Sequence, residues 1–433
     1  MRYFSTRDPQ KQGISASEAI VRGLAPDGGL YVPESFPILR DYIGITYNEL
    51  ALKVLQLYLM DFSEEELASY IESAYKVYNP VKLHGNYLEL FHGATLAFKD
   101  VALQLFPHLL TAALAKNSID KTAVILTATS GDTGSAVLAG IANVPKTKAI
   151  VFYPENGVSQ VQRLQMTTKE GDNVHVFGIK GNFDTAQTGV KAIFSDDAFK
   201  DQFLDNYFFT SANSINLGRL LPQIVYYFYC YSQLVLQKRI ALGDQINFAV
   251  PTGNFGNILA GYYAKRMGLP INKLICATNK NDVLAEFFKT GHYNYDREFH
   301  LTLSPSMDIL ISSNLERLTY EECDLSMFVS DLATDEQTLA TIKAVYKAEN
   351  YLLDPHTAVA KYVSDKYQRE TNDETLTVIV ATAAPDKFPE VTKKAVGKEI
   401  NNVFGQIASL AAKPILHPEV VDDLKAAVAG VLS

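Results

Sequence analysis

The segment FAVPTGNFGN, residues 248–257, decides the fold because a short apolar run leads directly into a glycine-rich turn. Residues 248–250 have the composition of a buried parallel strand, and residues 258–267 follow as a helical run. Gly253 and Gly256 permit backbone conformations and close approaches that larger residues resist. Amides at such a helix N-terminus converge on one point and favour an anion, so the turn is a candidate phosphate site. A tight strand–helix turn that merely needs glycine explains the same residues equally well.

Apolar runs of the same kind recur along the chain and alternate with helical patterns. They lie at residues 123–126, 149–153, 174–179, 274–277 and 376–380. One helical pattern begins after Asp100, a candidate N-cap, and contains Val101 and Leu105. Pro107 should kink or shorten this helix. The alternation predicts an α/β fold with parallel sheets and helices on both faces, in which ligands bind at the carboxyl ends of strands.

Composition limits the class of protein. The chain has 433 residues, of which 47% are hydrophobic and 20% charged, with a formal net charge of −9. No block of basic residues offers the face that nucleic acid needs, and no apolar run reaches the roughly 18 residues of a membrane span. The N-terminus lacks a signal-peptide pattern, so we expect a cytoplasmic protein. Three scattered cysteines, Cys230, Cys276 and Cys323, predict neither a disulfide framework nor a metal site.

A second turn, TATSGDTGS at residues 127–135, follows the apolar run at 123–126 and opens another helical pattern. Its hydroxyl side chains, its two glycines and its helix-terminal amides suit a carboxylate or a second phosphate. The alternative is a well-capped helix start, because Ser, Thr and Asp are favoured at that position in any helix. Taken alone, the segment favours this alternative.

A third segment, LFHGATLAFKD at residues 90–100, places one lysine beside apolar residues. Lys99 follows Ala97 and Phe98 and precedes Asp100. A lysine that is desolvated in an apolar pocket has a lowered pKa and can form a Schiff base. Most lysines next to a phenylalanine are surface residues whose stems lie along apolar neighbours. The catalytic interpretation therefore depends on the other two turns.

Together the three segments resemble the fold-type II (tryptophan synthase β-like) family of pyridoxal-phosphate (PLP) enzymes, and among them the threonine synthases. Residues 89–100 resemble that family's Schiff-base segment, residues 126–134 its substrate-carboxylate loop, and residues 251–257 its cofactor-phosphate loop. Residues 381–388 are similar to its cofactor-ring segment. The features typical of threonine synthases are residues 22–33, 211–220 and 303–308.

The resemblance implies the cofactor contacts. Lys99 should hold PLP through a Schiff base and then move protons, and Thr382 should donate a hydrogen bond to the pyridine nitrogen. Asp132 should face the phenolic side of the cofactor. Many members of the wider family carry Asn where Asp132 stands and His where Ala384 stands. The residues implied for the cofactor phosphate are Gly253, Asn254, Phe255, Gly256 and Asn257.

The resemblance also implies the substrate, O-phospho-L-homoserine. Asn213, Ser214 and Arg219 are the candidates for its phosphate, with Arg219 as a bidentate clamp; the alternative for Arg219 is a surface ion pair. The residues implied for the substrate carboxylate are Thr129, Ser130, Gly131 and Thr133.

The implied activity is the PLP-dependent β,γ-replacement that forms L-threonine and phosphate, the last step of threonine biosynthesis, in a monomer or homodimer. The implied organisation is an N-terminal unit at residues 1–80 and a catalytic region at residues 81–433. A smaller α/β domain is inserted at about residues 95–215, and the cofactor lies between the two α/β domains.

Three alternatives differ in class. Another fold-type II lyase, such as a threonine dehydratase or a cysteine synthase, needs no second phosphate site. A catalytically inactive phosphate-binding homologue would be expected to lack Lys99. An α/β protein that binds phosphosugars without PLP shares the fold class, which by itself does not fix function.

Overall fold

The computed structural model describes residues 1–76, 80–321, 324–398 and 406–433. Within these ranges the chain forms mixed layers of strands and helices. The strands are β1 (Tyr3–Ser5), β2 (Tyr31–Pro33), β3 (Lys82–His84), β4 (Tyr87–Glu89), β5 (Thr122–Ala128), β6 (Thr147–Pro154), β7 (Val174–Ile179), β8 (Tyr207–Thr210), β9 (Ile246–Pro251), β10 (Ile271–Thr278), β11 (Phe328–Leu332), β12 (Thr377–Ala381) and β13 (Val420–Val421).

Helices separate most of these strands, as the sequence pattern predicts. They are α1 (Ala16–Arg22), α2 (Tyr47–Tyr58), α3 (Glu64–Tyr75), α4 (Lys99–Leu103), α5 (Phe106–Lys116), α6 (Asp132–Ile141), α7 (Gln160–Thr167), α8 (Phe183–Phe194), α9 (Asp197–Asp201), α10 (Leu217–Leu220), α11 (Pro222–Leu236), α12 (Gly256–Arg266), α13 (Val283–Thr290), α14 (Leu315–Tyr320), α15 (Asp335–Glu349), α16 (Pro355–Thr371), α17 (Pro389–Val396), α18 (Gln406–Ala411) and α19 (Leu424–Leu432). Short 3-10 turns lie at Pro305–Met307, Leu325–Met327 and Pro385–Lys387.

Two parallel sheets form the centre of the molecule. The larger has the strand order β11-β10-β9-β12-β4-β3, and the smaller has the order β13-β7-β6-β5-β8. All neighbours in both sheets run parallel except β3 and β4, which form an antiparallel pair. Five of the six apolar runs lie within one of these strands, and the sixth, at residues 376–380, begins one residue before β12, so the predicted α/β fold with parallel sheets is confirmed.

Side-chain alternation along the strands explains why helices cover both faces. In β9, Phe248 and Val250 face a core shared with α11 and α12, whereas Ala249 between them faces a core built with α15 and α16. In β5, Ile125 and Val124 likewise belong to different cores. Strands that are buried on both faces must be apolar throughout, which is why they appear in the sequence as continuous apolar runs.

The N-terminal residues form a small unit against the larger sheet's helices. Strands β1 and β2 pair antiparallel, α1 packs on α5, and α2 packs on α11. Capping boxes at Thr46 and Ser63 fix the starts of α2 and α3. The sequence-based boundary at residue 80 adjoins residues 77–79, which lie outside the described residues. Strands β5 to β8 lie within the predicted insertion at residues 95–215, and β13 from the C-terminal region adds an edge to the same sheet.

The helix around Pro107 differs in detail from the sequence pattern. It is broken into α4 and α5, with Pro107 in the first turn of α5, so the expected interruption is confirmed. The N-cap assignment of Asp100 is wrong, because Asp100 lies inside α4. Its buried carboxylate accepts hydrogen bonds from the amide and hydroxyl of Thr95, at 2.8 and 2.7 Å, and so fixes the loop that precedes the helix.

Two other features concern the cysteines and the membrane. Cys230 and Cys276 are buried and unpaired, and Cys323 lies outside the described residues. Among the residues described, no helix combines the length and the apolar character that crossing a membrane requires.

Candidate active site

Lys99 lies at the start of α4, at the carboxyl end of β4. Its segment is fixed to the residues that follow β12: Phe98 N donates to Thr382 O at 2.8 Å, and Ala384 N donates to Leu96 O at 3.0 Å. Because β4 and β12 are adjacent parallel strands, their carboxyl ends bring these two segments together. Two segments from opposite ends of the sequence therefore form one wall of the site.

The Lys99 amine lies in an environment that disfavours its charge. Its side chain is only 14% exposed, so the ammonium is largely removed from water. Burial lowers the pKa of Lys99 to about 8, with Asp132 opposing the shift and the charges of Arg219 and Lys387 adding to it. A lysine with this pKa has far more neutral, nucleophilic amine at neutral pH than a surface lysine has.

Asp132 lies at the first position of α6 and faces Lys99 from the smaller sheet. Its Oδ2 is 4.0 Å from Lys99 Nζ and accepts a hydrogen bond from Ser306 Oγ at 3.0 Å. Its Oδ1 is 2.9 Å from Lys387 Nζ and accepts from Gln162 Nε2 at 2.9 Å. Burial alone would raise the pKa of Asp132, but the charges of Lys387 and Lys99 and the Gln162 hydrogen bond hold it well below its usual range. Asp132 is thus an ionised carboxylate.

The loop before α6 leaves amides free to bind an anion. Thr129 is buried, and its hydroxyl accepts from the amides of Gly131 and Gly134, both at 2.9 Å, so this side chain shapes the loop. Gly131 has φ +129°, and a Cβ there would lie 2.3 Å from Gln162 Cδ. The amides of Ser130, Asp132 and Thr133 form no hydrogen bond within the described part of the chain. The N-cap residue Gly131 has no side chain to cap α6, but the Thr129 hydroxyl caps the Gly134 amide of its first turn.

The turn after β9 has the features of a phosphate cradle. Phe255 adopts the left-handed conformation, with φ 64°, immediately before α12, and that helix start has no side-chain cap. A Cβ on Gly253 would lie 2.9 Å from Ser306 O, so only glycine allows the loops at 253 and 306 to approach this closely. Asn254 O accepts from Asn314 Nδ2 at 3.1 Å. These contacts hold the turn open for an anion at the N-terminus of α12.

The last residue of this turn contains an unsatisfied donor. Asn257 is buried, and among the described residues its Nδ2 has no hydrogen-bond partner. Its Oδ1 accepts from Tyr226 at 2.6 Å and from Tyr227 at 2.8 Å. The two hydroxyls fix the orientation of the amide, so that Nδ2 is left to donate to a bound group.

Arg219, on α10, is a second buried donor without a matched acceptor. It is only 4% exposed; Nη1 donates to Ala212 O at 2.5 Å, whereas Nε has no partner in the described ranges. Burial lowers its pKa to about 10. The ion-pair alternative is wrong for the described residues, because none of their carboxylates forms an ion pair with Arg219. Of its predicted companions, Ser214 is partly buried and Asn213 is exposed.

Thr382 is buried beside Lys99, and within the described ranges its hydroxyl forms no hydrogen bond. This is the arrangement that a hydroxyl needs in order to donate to a ring nitrogen. Ala384 is fully buried, and its amide donates to Leu96 O.

Sequence reasoning missed five residues that shape the site. Tyr226 and Tyr227 lie in an apolar run of the sequence, and only the fold shows that their hydroxyls reach Asn257. Lys387 lies in the quoted segment 381–388, but nothing local distinguishes a buried lysine from an exposed one. The other two are Ser306 and Asn314.

Comparisons with known families agree with this geometry. A family model described as "Pyridoxal-phosphate dependent enzyme" matches residues 87–383. Two others, "Threonine synthase N terminus" and "Threonine synthase, C-terminal", match residues 2–75 and 357–431. The site and fold therefore define a PLP-dependent enzyme.

Individual relatives identify the family within the PLP-dependent enzymes. The chain is 41% identical to threonine synthase of Pseudomonas aeruginosa, over 91% of this chain and 90% of that protein. It is also 41% identical to threonine synthase-like 1 of Mus musculus, but it spans only 62% of that longer protein. The crystal structure of PLP-bound threonine synthase from Brucella melitensis matches with a TM-score of 0.90 at 36% identity, covering 100% of this chain and 98% of that one. The chain belongs to the threonine synthase family.

Proposed function

We propose that this protein converts O-phospho-L-homoserine and water into L-threonine and phosphate, using PLP held by Lys99. Family membership supports the reaction, and the structure supports it through Arg219. A buried guanidinium with an unpaired Nε is costly unless an anion occupies its site. Its charge acts on Lys99, so we expect an anion bound by Arg219 to lie near the reacting amine. A substrate that carries its own phosphate satisfies this requirement.

The residues present fit PLP. The cofactor phosphate would lie at the N-terminus of α12, where the 253–257 amides and Asn257 Nδ2 can donate to it. The pyridine nitrogen would accept from Thr382, whose hydroxyl is otherwise unused. When bound, PLP delocalises negative charge that develops on the substrate carbon next to the amine.

The chain's own groups perform the remaining tasks. The neutral Lys99 amine forms the link to the cofactor and, once displaced by the substrate amine, moves protons at the substrate's Cα and Cβ. The amides of Ser130, Asp132 and Thr133 receive the substrate carboxylate at the N-terminus of α6, with Thr129 and Gly131 shaping the loop. Arg219, with Ser214 and Asn213 nearby in sequence, holds the γ-phosphate until it leaves. After the phosphate has left, a proton must be delivered to Cγ, which becomes the methyl group of threonine. The hydroxyl of water then adds at Cβ, and a proton returns to Cα.

The alternatives are weaker on specific observations. In a threonine dehydratase-like lyase, the buried Arg219 with its unpaired Nε would have no substrate phosphate to bind. An inactive phosphate-binding homologue would not need a buried lysine such as Lys99, whose pKa is lowered to about 8. The proposal includes a cytoplasmic location. It also includes a monomeric or homodimeric state, which light scattering of the purified protein tests.

The test is a coupled product assay on purified protein supplied with PLP. We expect a visible Schiff-base absorption band and, on addition of O-phospho-L-homoserine, equal amounts of phosphate and threonine. Lys99→Ala should lose both the band and the products. The matched control is Lys180→Ala, since Lys180 is exposed and pairs with Asp422 on the surface.

The other outcomes point to the alternatives. Phosphate released with a keto acid in place of threonine would make the protein a different PLP lyase. A protein that binds no PLP would contradict the proposal and favour a phosphate-binding homologue.

A further inference from the structure

Lys387 is a wholly buried lysine next to the site, and its ammonium has one ion-pair partner and two hydrogen-bond acceptors. Its side chain is 0% exposed. Nζ lies 2.9 Å from Asp132 Oδ1, and it donates to Thr95 O at 2.7 Å and to Gln165 Oε1 at 3.0 Å. Burying a lysine is unfavourable unless its charge is paired and its donors are satisfied, and both conditions are met here.

The three acceptors come from separate parts of the fold. Asp132 and Gln165 belong to helices beside the smaller sheet, Thr95 precedes Lys99, and Lys387 follows β12 of the larger sheet. Gln165 Nε2 also donates to Thr95 O at 3.0 Å, which closes a ring of hydrogen bonds. Lys387 therefore fixes Asp132 relative to the Lys99 segment.

The charges around Lys99 form an alternating arrangement. Lys99 faces the Asp132 carboxylate, and on the other side of that carboxylate lies the Lys387 ammonium. Arg219 also acts on Lys99, while His356 acts on Asp132 and Asp100 lies within the influence of Lys387. The His356 Nε2 accepts from Ser306 N at 3.2 Å and its Nδ1 lies 2.8 Å from Asp354.

This arrangement explains how a carboxylate can occupy this place. An unpaired Asp132 would bind the Lys99 proton tightly and leave less neutral amine for the cofactor. With Lys387 on its other side, the Asp132 carboxylate interacts with two cations, so its negative charge no longer acts on Lys99 alone. We propose that Lys387 is a positioning residue that neutralises Asp132 and thereby keeps Lys99 able to react with PLP. The inference rests on the proposed use of PLP.

The proposal gives opposite effects for the two partners. Removing the Lys387 charge leaves Asp132 to act on Lys99 alone, so the Lys99 pKa should rise above about 8. Removing the Asp132 charge leaves Lys387 unopposed, so the Lys99 pKa should fall. Removing both should return it close to the parent value. If the Lys387–Asp132 ion pair were purely structural, the two single substitutions would not shift the Lys99 pKa in opposite directions.

The experiment titrates Lys99 in cofactor-free protein. An amine-modifying reagent is applied over a pH series, and modification of Lys99 is quantified by peptide mass spectrometry in the parent, Lys387→Met, Asp132→Asn and the double variant. The control is Lys394→Met, an exposed lysine on the adjoining helix α17. A second readout is the rate of PLP capture at neutral pH, which should fall about tenfold for each unit by which the Lys99 pKa rises.

The expected result is an upward shift for Lys387→Met, a downward shift for Asp132→Asn, and a double variant near the parent and the control. Shifts in the same direction, or a Lys387→Met titration equal to the control, would overturn the proposal. If Lys387→Met does not fold, the comparison of Asp132→Asn with the double variant still isolates the Lys387 charge and must show a higher midpoint in the double variant. A double variant that does not fold would also overturn it, because a neutral pair should be tolerated.

No substrate enters these measurements. A protein that captures PLP yet makes no threonine would contradict the proposed reaction and leave this inference standing. If the parent protein forms threonine normally but the Lys99 titration in Lys387→Met equals that of the control, this inference is contradicted and the proposed reaction stands.

Discussion

Arg219 and Lys387 are both buried cations near Lys99, but they differ in how their donors are used. Lys387 forms an ion pair with the Asp132 carboxylate and donates hydrogen bonds to two further acceptors. Arg219 donates to one backbone carbonyl, and its Nε has no acceptor in the described ranges. Because buried polar groups in native proteins are almost always satisfied, an unsatisfied one indicates a missing partner. The satisfied cation lies in a closed network of protein contacts, whereas we predict that the unsatisfied one binds an anion.

Arg317 extends the comparison to a structural arginine. It is fully buried, as Arg219 is, but it donates to Tyr31 O at 2.9 Å and to Asn314 Oδ1 and Ile215 O, both at 2.5 Å. These contacts join the N-terminal unit to the loop that precedes Arg219. The two arginines thus have the same chemistry and similar burial, and only the acceptors around them differ.

The largest effect that the comparison gives is on substrate turnover in Arg219→Met. We expect kcat/KM for O-phospho-L-homoserine to fall about a hundredfold or more, since the variant loses a buried charged contact to the phosphate. The free energy of unfolding, measured with urea and no substrate, should be unchanged or higher, because an uncompensated buried charge is removed. A variant that keeps its activity but loses stability would make Arg219 structural and end the contrast with Arg317.

Arg317→Met should show the opposite pattern. Three acceptors would lose a charged donor in the interior, so we expect the free energy of unfolding to fall by about 2–4 kcal/mol. The fraction that remains folded should lose less activity than Arg219→Met does, because Arg317 acts on the site through Asn314 and does not bind the substrate itself. Urea unfolding and active-site titration with PLP measure the two quantities. An unchanged stability would show that burial and hydrogen bonding do not distinguish the two arginines.

The sequence predicted the layers and the loops well, because both depend on local chemistry. Buried strands such as β9 need apolar residues on both faces, and the glycines of 248–257 need a turn, so both are visible in the sequence. The partners of Asp132 could not be predicted from the sequence. Lys387, Gln162 and Ser306 are brought to it only by the packing of the two sheets. A buried cation and an exposed one have the same letter in a sequence.

The assignment of Thr129 shows a related limit. A loop rich in hydroxyls predicts a ligand site, but it does not say which hydroxyls face the ligand and which hold the loop. The structure shows that the Thr129 hydroxyl accepts from two loop amides, whereas the amides at the start of α6 remain available. Its role in substrate binding, like those of the other site residues, stays a prediction.

A smaller effect concerns Lys99 and pH in the cofactor-free protein. The folded pKa, about 8, is below the ordinary value of 10.5, so folding disfavours the charged amine. That penalty is complete below about pH 8 and disappears as pH rises towards 10.5, where the unfolded chain also loses the proton. Lys99→Met should therefore raise the free energy of unfolding by about 1–3 kcal/mol at pH 7, with a smaller gain at pH 10. A gain that is equal at both pH values would contradict the lowered pKa.

The smallest effect tests the unsatisfied Asn257 donor, which is the amide counterpart of Arg219. Tyr227→Phe removes one of the two hydroxyls that fix the Asn257 amide, so Nδ2 should point less consistently at the cofactor phosphate. Losing one such hydrogen bond is worth about 0.5–1.5 kcal/mol, which corresponds to roughly two- to twelvefold weaker PLP binding. Equilibrium titration with PLP measures it, and Tyr231→Phe on the same helix is the control, because the Tyr231 hydroxyl bonds Asp244 O, away from the site. Equal affinities in the two variants would mean that Asn257 is held by the backbone alone, and that its free Nδ2, unlike the free Nε of Arg219, has no ligand.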